Sequence, residues 1–323
     1  PPRGILSSPF ESGAGPALVY FAFRGAAWLA EHFPPRFAEG LARMGAAVGY
    51  RVSARKRNIV RKNMARVLGE GPHLDVVVRS AFHFYARYWL ETFRLGRYSK
   101  EALLQMVECD STAVLAAALE EGRGVVSITP HFGFYDVGVS WVGAKGYPLT
   151  TAAEVLRPRA LFEWFAKIRA ERGVRVIPAS PGAAARKQLA EVINKGEGVA
   201  LVAERDLGRR GVWVKFFGEQ TTFPAGPSIL VARTGAALIT AGIYAQGFRS
   251  RYRVFFERVP YERTGDEGAD VESIAQKMAS ALEEVVRIDP PQWHLFSTNW
   301  PSDEPHLPPR GPSGTTSVGE GKP

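Results

Sequence analysis

The chain has 323 residues, 46% of them apolar, and its 41 Lys and Arg against 32 Asp and Glu leave a net charge of +9. That length and apolar content can bury one large core or two modest ones, and the charge fits an anionic partner: nucleic acid, a membrane surface or a phosphorylated substrate. A single cysteine, Cys109, excludes a disulfide framework and a thiolate metal site, and makes a reducing cytosolic face the natural compartment.

Residues 1–15 are rich in Pro, Gly and Ser and are expected to be poorly ordered. Pro16 to Phe33 reads as a helix dense in aromatics, ended by Pro34-Pro35. It is broken by Arg24, Glu31 and His32, so it falls short of the ~18–20 apolar residues that cross a bilayer. It also lacks the basic start and small-residue cleavage site of a signal peptide. A second helix is expected from Arg36 to Arg51 and a third through Arg66. Arg51, Arg55, Lys56, Arg57, Arg61, Lys62 and Arg66 carry no acid among them. Such a run is a solvated helix face or, beside an aromatic helix, a docking surface for anionic lipid. No stacking module or groove-reading motif accompanies it, which argues against nucleic acid. Ala81 to Phe93 reads as a further helix whose aromatic stripe, His83 included, belongs to the core.

Val125 to Thr129 is a short β-branched run ended by Pro130, so His131 falls at the carboxyl end of a strand, where open α/β sheets bind ligands. Asp136 to Ala144 reads as the following helix. Strands are expected at Leu149–Val155, Val174–Ala179, Gly198–Ala203, Val212–Phe217, Ala236–Ala245 and Tyr252–Val259, the last as an edge strand. Helices are expected from Arg157 to Arg172, Ala183 to Asn194, Pro227 to Arg233 and Glu272 to Arg287. From Ser302 the tail is again rich in Pro, Gly and Ser, and disorder is expected over 302–323. Elements alternate without a clear linker, so residues 16–301 form one domain, of which 16–100 is helical.

His131 and Asp136 lie five apart, and on one continuous helix their side chains diverge by about 140°. A turn at Gly133 lets them meet, and a carboxylate on one imidazole nitrogen leaves the other free as a base. Taken alone, the pair is equally well an unrelated histidine and acid. Similarly, Glu204-Arg205-Asp206, at the carboxyl end of a strand, is by itself an exposed salt-bridge cluster.

His131-x4-Asp136 resembles the His-x4-Asp/Glu motif of glycerolipid-type acyltransferases. Along most of the chain the sequence is similar to the bacterial lipid A biosynthesis acyltransferase family. Ala203 to Val212, Phe216-Phe217-Gly218-Glu219, Pro224 to Pro227 and Arg233 to Ala237 resemble its phosphatidylinositol mannoside acyltransferase branch, as does Asp rather than Glu at position 136. Phe134-Tyr135 departs from the usual Gly-Asn-Trp context.

The resemblance implies an α/β fold in one domain, with a mixed, mostly parallel sheet flanked by helices. It implies direct acyl transfer from acyl-CoA to a sugar hydroxyl of an anionic glycolipid, with no resident cofactor or metal. His131 is then the base, Asp136 orients it, and Glu154, Arg169, Glu204 and His294 contact the acceptor. Arg205 and Asp206 form a supporting pair. The protein is expected to sit peripherally on the cytoplasmic face of the cell membrane. Two alternatives stay open: acylation of a lipid A-type precursor from acyl carrier protein, and a non-catalytic lipid-binding protein.

Overall fold

The computed structural model describes residues 14–179, 183–206, 208–247 and 251–303. Of the segments expected to be disordered, 1–13 and 304–323 lie outside the described residues. The chain opens with helices α1 (Ala14–His32), α2 (Pro35–Val52), α3 (Ala54–Leu68) and α4 (Leu74–Arg94). Next come α5 (Lys100–Met106), β1 (Val107–Glu108), α6 (Thr112–Glu120), β2 (Val125–Thr129), α7 (Tyr135–Ala144) and β3 (Leu149–Glu154). They are followed by α8 (Arg159–Ala170), β4 (Val174–Ala179), α9 (Ala183–Ile193) and β5 (Gly198–Val202). The chain then forms β6 (Val212–Phe216), β7 (Glu219–Phe223), α10 (Ala225–Thr234), β8 (Ala237–Ala245), β9 (Tyr252–Arg258) and α11 (Glu267–Ile288).

Seven strands form one sheet in the order β1-β9-β8-β2-β5-β3-β4. All neighbours in it run parallel except β8 and β9. The expected edge strand β9 is flanked on its far side by the two-residue β1. The strand β7, polar at its start, was not expected. It folds back on β6 as a hairpin through Phe217-Gly218, both at positive φ, as a tight two-residue turn requires.

Strand alternation decides the two cores. In β2, Val126 and Ile128 face the core built with α9, α10 and α11, whereas Val125 joins α5, α6, α7 and α8 on the other face. Both faces of the sheet are therefore covered, which is why β2 and β5 read as near-continuous apolar runs. The helical amino-terminal part is anchored through α4. Phe23 of α1 packs edge-on against Trp89 and Phe93 of α4. The Arg94 guanidinium donates to the Ala30 carbonyl near the end of α1 at 3.1 Å.

Candidate active site

The register of β2 and β5 builds the site. Thr129 pairs with Val202, and Ala203 N–H continues the ladder to the Thr129 carbonyl at 3.0 Å. His131 and Glu204 each lie two residues beyond that pair, so neighbouring parallel strands deliver them side by side. Glu204 is wholly buried, and its Oε1 accepts from both His131 Nδ1 and His131 N–H, each at 2.8 Å. An ionised carboxylate only accepts, so Nδ1 carries the proton and Nε2 is left with a free lone pair. Burial pushes the Glu204 carboxyl up, but the charge and the ring and backbone hydrogen bonds of His131 outweigh it and leave it below the usual carboxylate value.

This arrangement corrects the expected pairing of His131 with Asp136. The chain does turn at Gly133, with φ +59°, where a Cβ would lie 1.6 Å from the Ile243 carbonyl oxygen. Asp136, however, points away from His131 and into the helical layer. Its Oδ1 accepts from Arg169 Nε at 2.8 Å and Nη2 at 2.6 Å, and its Oδ2 from the Tyr88 hydroxyl at 2.8 Å. No hydrogen bond joins Asp136 to His131. The reason is that a two-donor guanidinium and a buried phenol offer this carboxylate charge-assisted partners that a single ring N–H does not match. Burial, reinforced by the Asp136 charge, drives the Tyr88 hydroxyl well above its ordinary value.

The other expected site residues separate into two sets. Glu154 ends β3 as an exposed acid, and Arg205 approaches it at 3.4 Å. Arg205 therefore pairs with Glu154 rather than with Asp206, whose carboxylate holds the N–H groups of Gly208 and Gly211 at 3.2 and 2.7 Å and shapes that turn. Support for Glu204 comes from residues not singled out in the sequence. Asn299 donates to its carbonyl at 3.1 Å and the Trp293 indole approaches Oε1 at 3.5 Å. Arg169 is committed to Asp136. His294 is buried beneath the His131 loop, with Nε2 on the Gly133 carbonyl at 2.8 Å and Nδ1 shielded. The structure therefore places neither Arg169 nor His294 as an open acceptor contact.

The pairing of β3 with β5 stops at Thr151 and Ala200, whereas β2 and β5 stay paired to Thr129 and Val202. The carboxyl ends of β3 and β5 thus part beside Glu204 and Glu154. An apolar cavity of about 50 Å³ lies on the α7 side of the sheet. Thr129 and Tyr135 border it near His131, and Leu149 and Leu115 border it at the other end of the strands. Tyr135 meets the His131 ring edge-on at 6.0 Å. The strand from Thr129 back to Val125 spans about 13 Å alongside it. Among the described residues, no group of His, Cys, Asp or Glu is arranged to hold a metal ion.

A His-Glu pair thus stands at the carboxyl ends of two parallel strands of an α/β fold, near a small apolar cavity. The profile of the bacterial lipid A biosynthesis acyltransferase family matches residues 16–302, and the chain belongs to that family. It is 34% identical over 282 residues to a phosphatidylinositol mannoside acyltransferase of Mycolicibacterium smegmatis, covering 86% of this chain and 90% of that protein. It is 34% identical over 285 residues to a phosphatidylinositol mannoside acyltransferase of Mycobacterium tuberculosis, covering 86% of this chain and 87% of the relative.

Proposed function

We propose that this acyltransferase moves a fatty acyl chain from acyl-CoA to a sugar hydroxyl of a phosphatidylinositol mannoside, with His131 as general base. The observation that carries the reading is the imidazole itself, held at Nδ1 by a buried carboxylate on a loop whose flanking residues, Thr129 and Tyr135, line an apolar cavity. Nε2 takes the proton of the sugar hydroxyl as its oxygen attacks the thioester carbonyl carbon. The C–O bond forms, the C–S bond breaks, and the imidazolium returns the proton to the departing thiolate. Base assistance of this kind contributes about 10²–10⁴-fold. Glu204 stabilises the imidazolium at 2.8 Å, and Asp136 acts through Arg169 and Tyr88 to fix the start of α7. Glu154, exposed at the carboxyl end of β3, accepts hydrogen bonds from acceptor hydroxyls.

Membrane docking fits the amino-terminal helices. Leu18, Phe21 and Trp28 of α1 stand exposed, as do Arg51, Arg55 and Lys56 at the α2–α3 junction. Each basic residue near an anionic surface adds about 1 kcal/mol, and the apolar side chains enter the headgroup boundary. No helix among the described residues is long and apolar enough to cross a membrane. The proposed station, held by these exposed aromatic and basic side chains, is peripheral on the cytoplasmic face. Mass spectrometry of products from purified protein given a panel of acyl-CoA thioesters and phosphatidylinositol mannoside tests the reading. An added acyl ester on the sugar is expected. Thioester consumption without acylated glycolipid, or acylation of a lipid A-type precursor alone, overturns it.

A further inference from the structure

The carboxy-terminal segment from Gln292 to Asn299 has a role that its distance in sequence conceals. It runs directly under the His131 loop, where Phe132 and Trp293 form an antiparallel bridge. Gly133 N–H donates to the Gln292 carbonyl at 2.8 Å, and His294 N–H donates to the His131 carbonyl at 2.6 Å. The His294 ring adds its Nε2–H to the Gly133 carbonyl at 2.8 Å. The His131 residue is thus gripped on both sides, its N–H by Glu204 and its carbonyl by His294. The same segment reaches Glu204 through Asn299 and Trp293. Tyr85 and Tyr88 pack on the His294 ring, with centroids 5.6 and 5.2 Å away, and its Nδ1 is buried without a partner.

We infer that His294 is a positioning residue of the transfer reaction, which sets the His131 loop from beneath and does not touch the acceptor. The inference rests on the reading of His131 as the base. A carbonyl only accepts, so Nε2 carries a proton, and with Nδ1 buried without a partner the ring is the neutral Nε2–H tautomer. Burial keeps it neutral, lowering its pKa from 6.5 to about 3. A base that must meet a hydroxyl within hydrogen-bond reach is sensitive to small displacements of its loop.

Initial rates against acyl-CoA and against phosphatidylinositol mannoside, with melting curves, test this for His294→Ala and His294→Gln. The Gln amide can replace the Nε2–H donor to Gly133. The expected result is a kcat lowered about tenfold to 10²-fold in His294→Ala, an unchanged KM for the glycolipid, and recovery of most of the rate in His294→Gln. A raised glycolipid KM at unchanged kcat makes His294 an acceptor contact and overturns the inference. Wild-type kcat in His294→Ala, or no recovery in His294→Gln, does the same. Should His294→Ala fail to fold, His294→Phe decides, since it fills the ring's space without the donor to the Gly133 carbonyl; a lowered kcat at constant KM supports the inference, and wild-type kcat overturns it. A His131→Ala control separates the two readings. Undiminished turnover there sinks the base assignment, whereas an inactive control beside a normal His294→Ala sinks only the positioning role.

Discussion

Glu204→Gln isolates the charge of the orienting carboxylate. Oε1 receives both hydrogen bonds from His131, while Oε2 is buried without a partner. A glutamine can therefore keep both contacts with its carbonyl oxygen and place its amide where Oε2 stood. What is lost is the negative charge facing the imidazolium. Two charges about 4 Å apart at an effective dielectric constant of about 20 interact by about 4 kcal/mol. That corresponds to about 10³-fold in rate. The amide N–H groups gain no partner, which costs about 1–3 kcal/mol of stability and leaves the chain folded. Steady-state transfer to phosphatidylinositol mannoside, well below the melting transition, should show kcat reduced about 10³-fold with little change in either KM. A kcat within about tenfold of wild type refutes the role given to Glu204.

Asp136→Asn is expected to act on stability first. It leaves the Arg169 guanidinium without its carboxylate, and breaking a buried pair costs about 3–5 kcal/mol, read as a drop in urea midpoint. Ala200→Leu adds more bulk than the apolar cavity of about 50 Å³ holds, and overpacking of this kind costs about 1–3 kcal/mol, read as a lower urea midpoint. Acid sensitivity reports on His294. The unfolded ring binds a proton near 6.5 and the folded ring only near 3. Between those values the unfolded chain holds the extra proton, so stability falls as pH drops from 6.5 towards 3 and is unaffected above 6.5. The slope reaches about 1.4 kcal/mol per pH unit. His294→Gln should flatten this portion of a pH series of urea unfolding curves.

The sequence makes the strands and helices visible because each carries its own punctuation. Pro130 ends β2, Pro34-Pro35 separates α1 from α2, and the β-branched runs of β2 and β5 mark a sheet covered on both faces. The strand β7 was hidden by its polar start, Glu219-Gln-Thr-Thr, whose threonines are buried by the fold rather than by their own apolarity. The partner of His131 was hidden for a different reason. Asp136 is near in sequence, whereas Glu204 is 73 residues away and becomes a neighbour only through the β2–β5 register. A signal was present: two short apolar strands, each followed two residues later by an ionisable side chain. Reading it requires knowing that β5 inserts beside β2, a topological fact that local spacing does not encode. His294 follows the same logic, since its ring looked like a free ligand until the Phe132–Trp293 bridge turned it inward.

Single-turnover transfer by His131→Ala, with acyl-CoA and phosphatidylinositol mannoside both saturating, tests the central claim most directly. The rate of ester formation should fall by about 10²–10⁴-fold while the protein melts as the wild type does. Ester formation at an undiminished rate contradicts the assignment of His131 as the base.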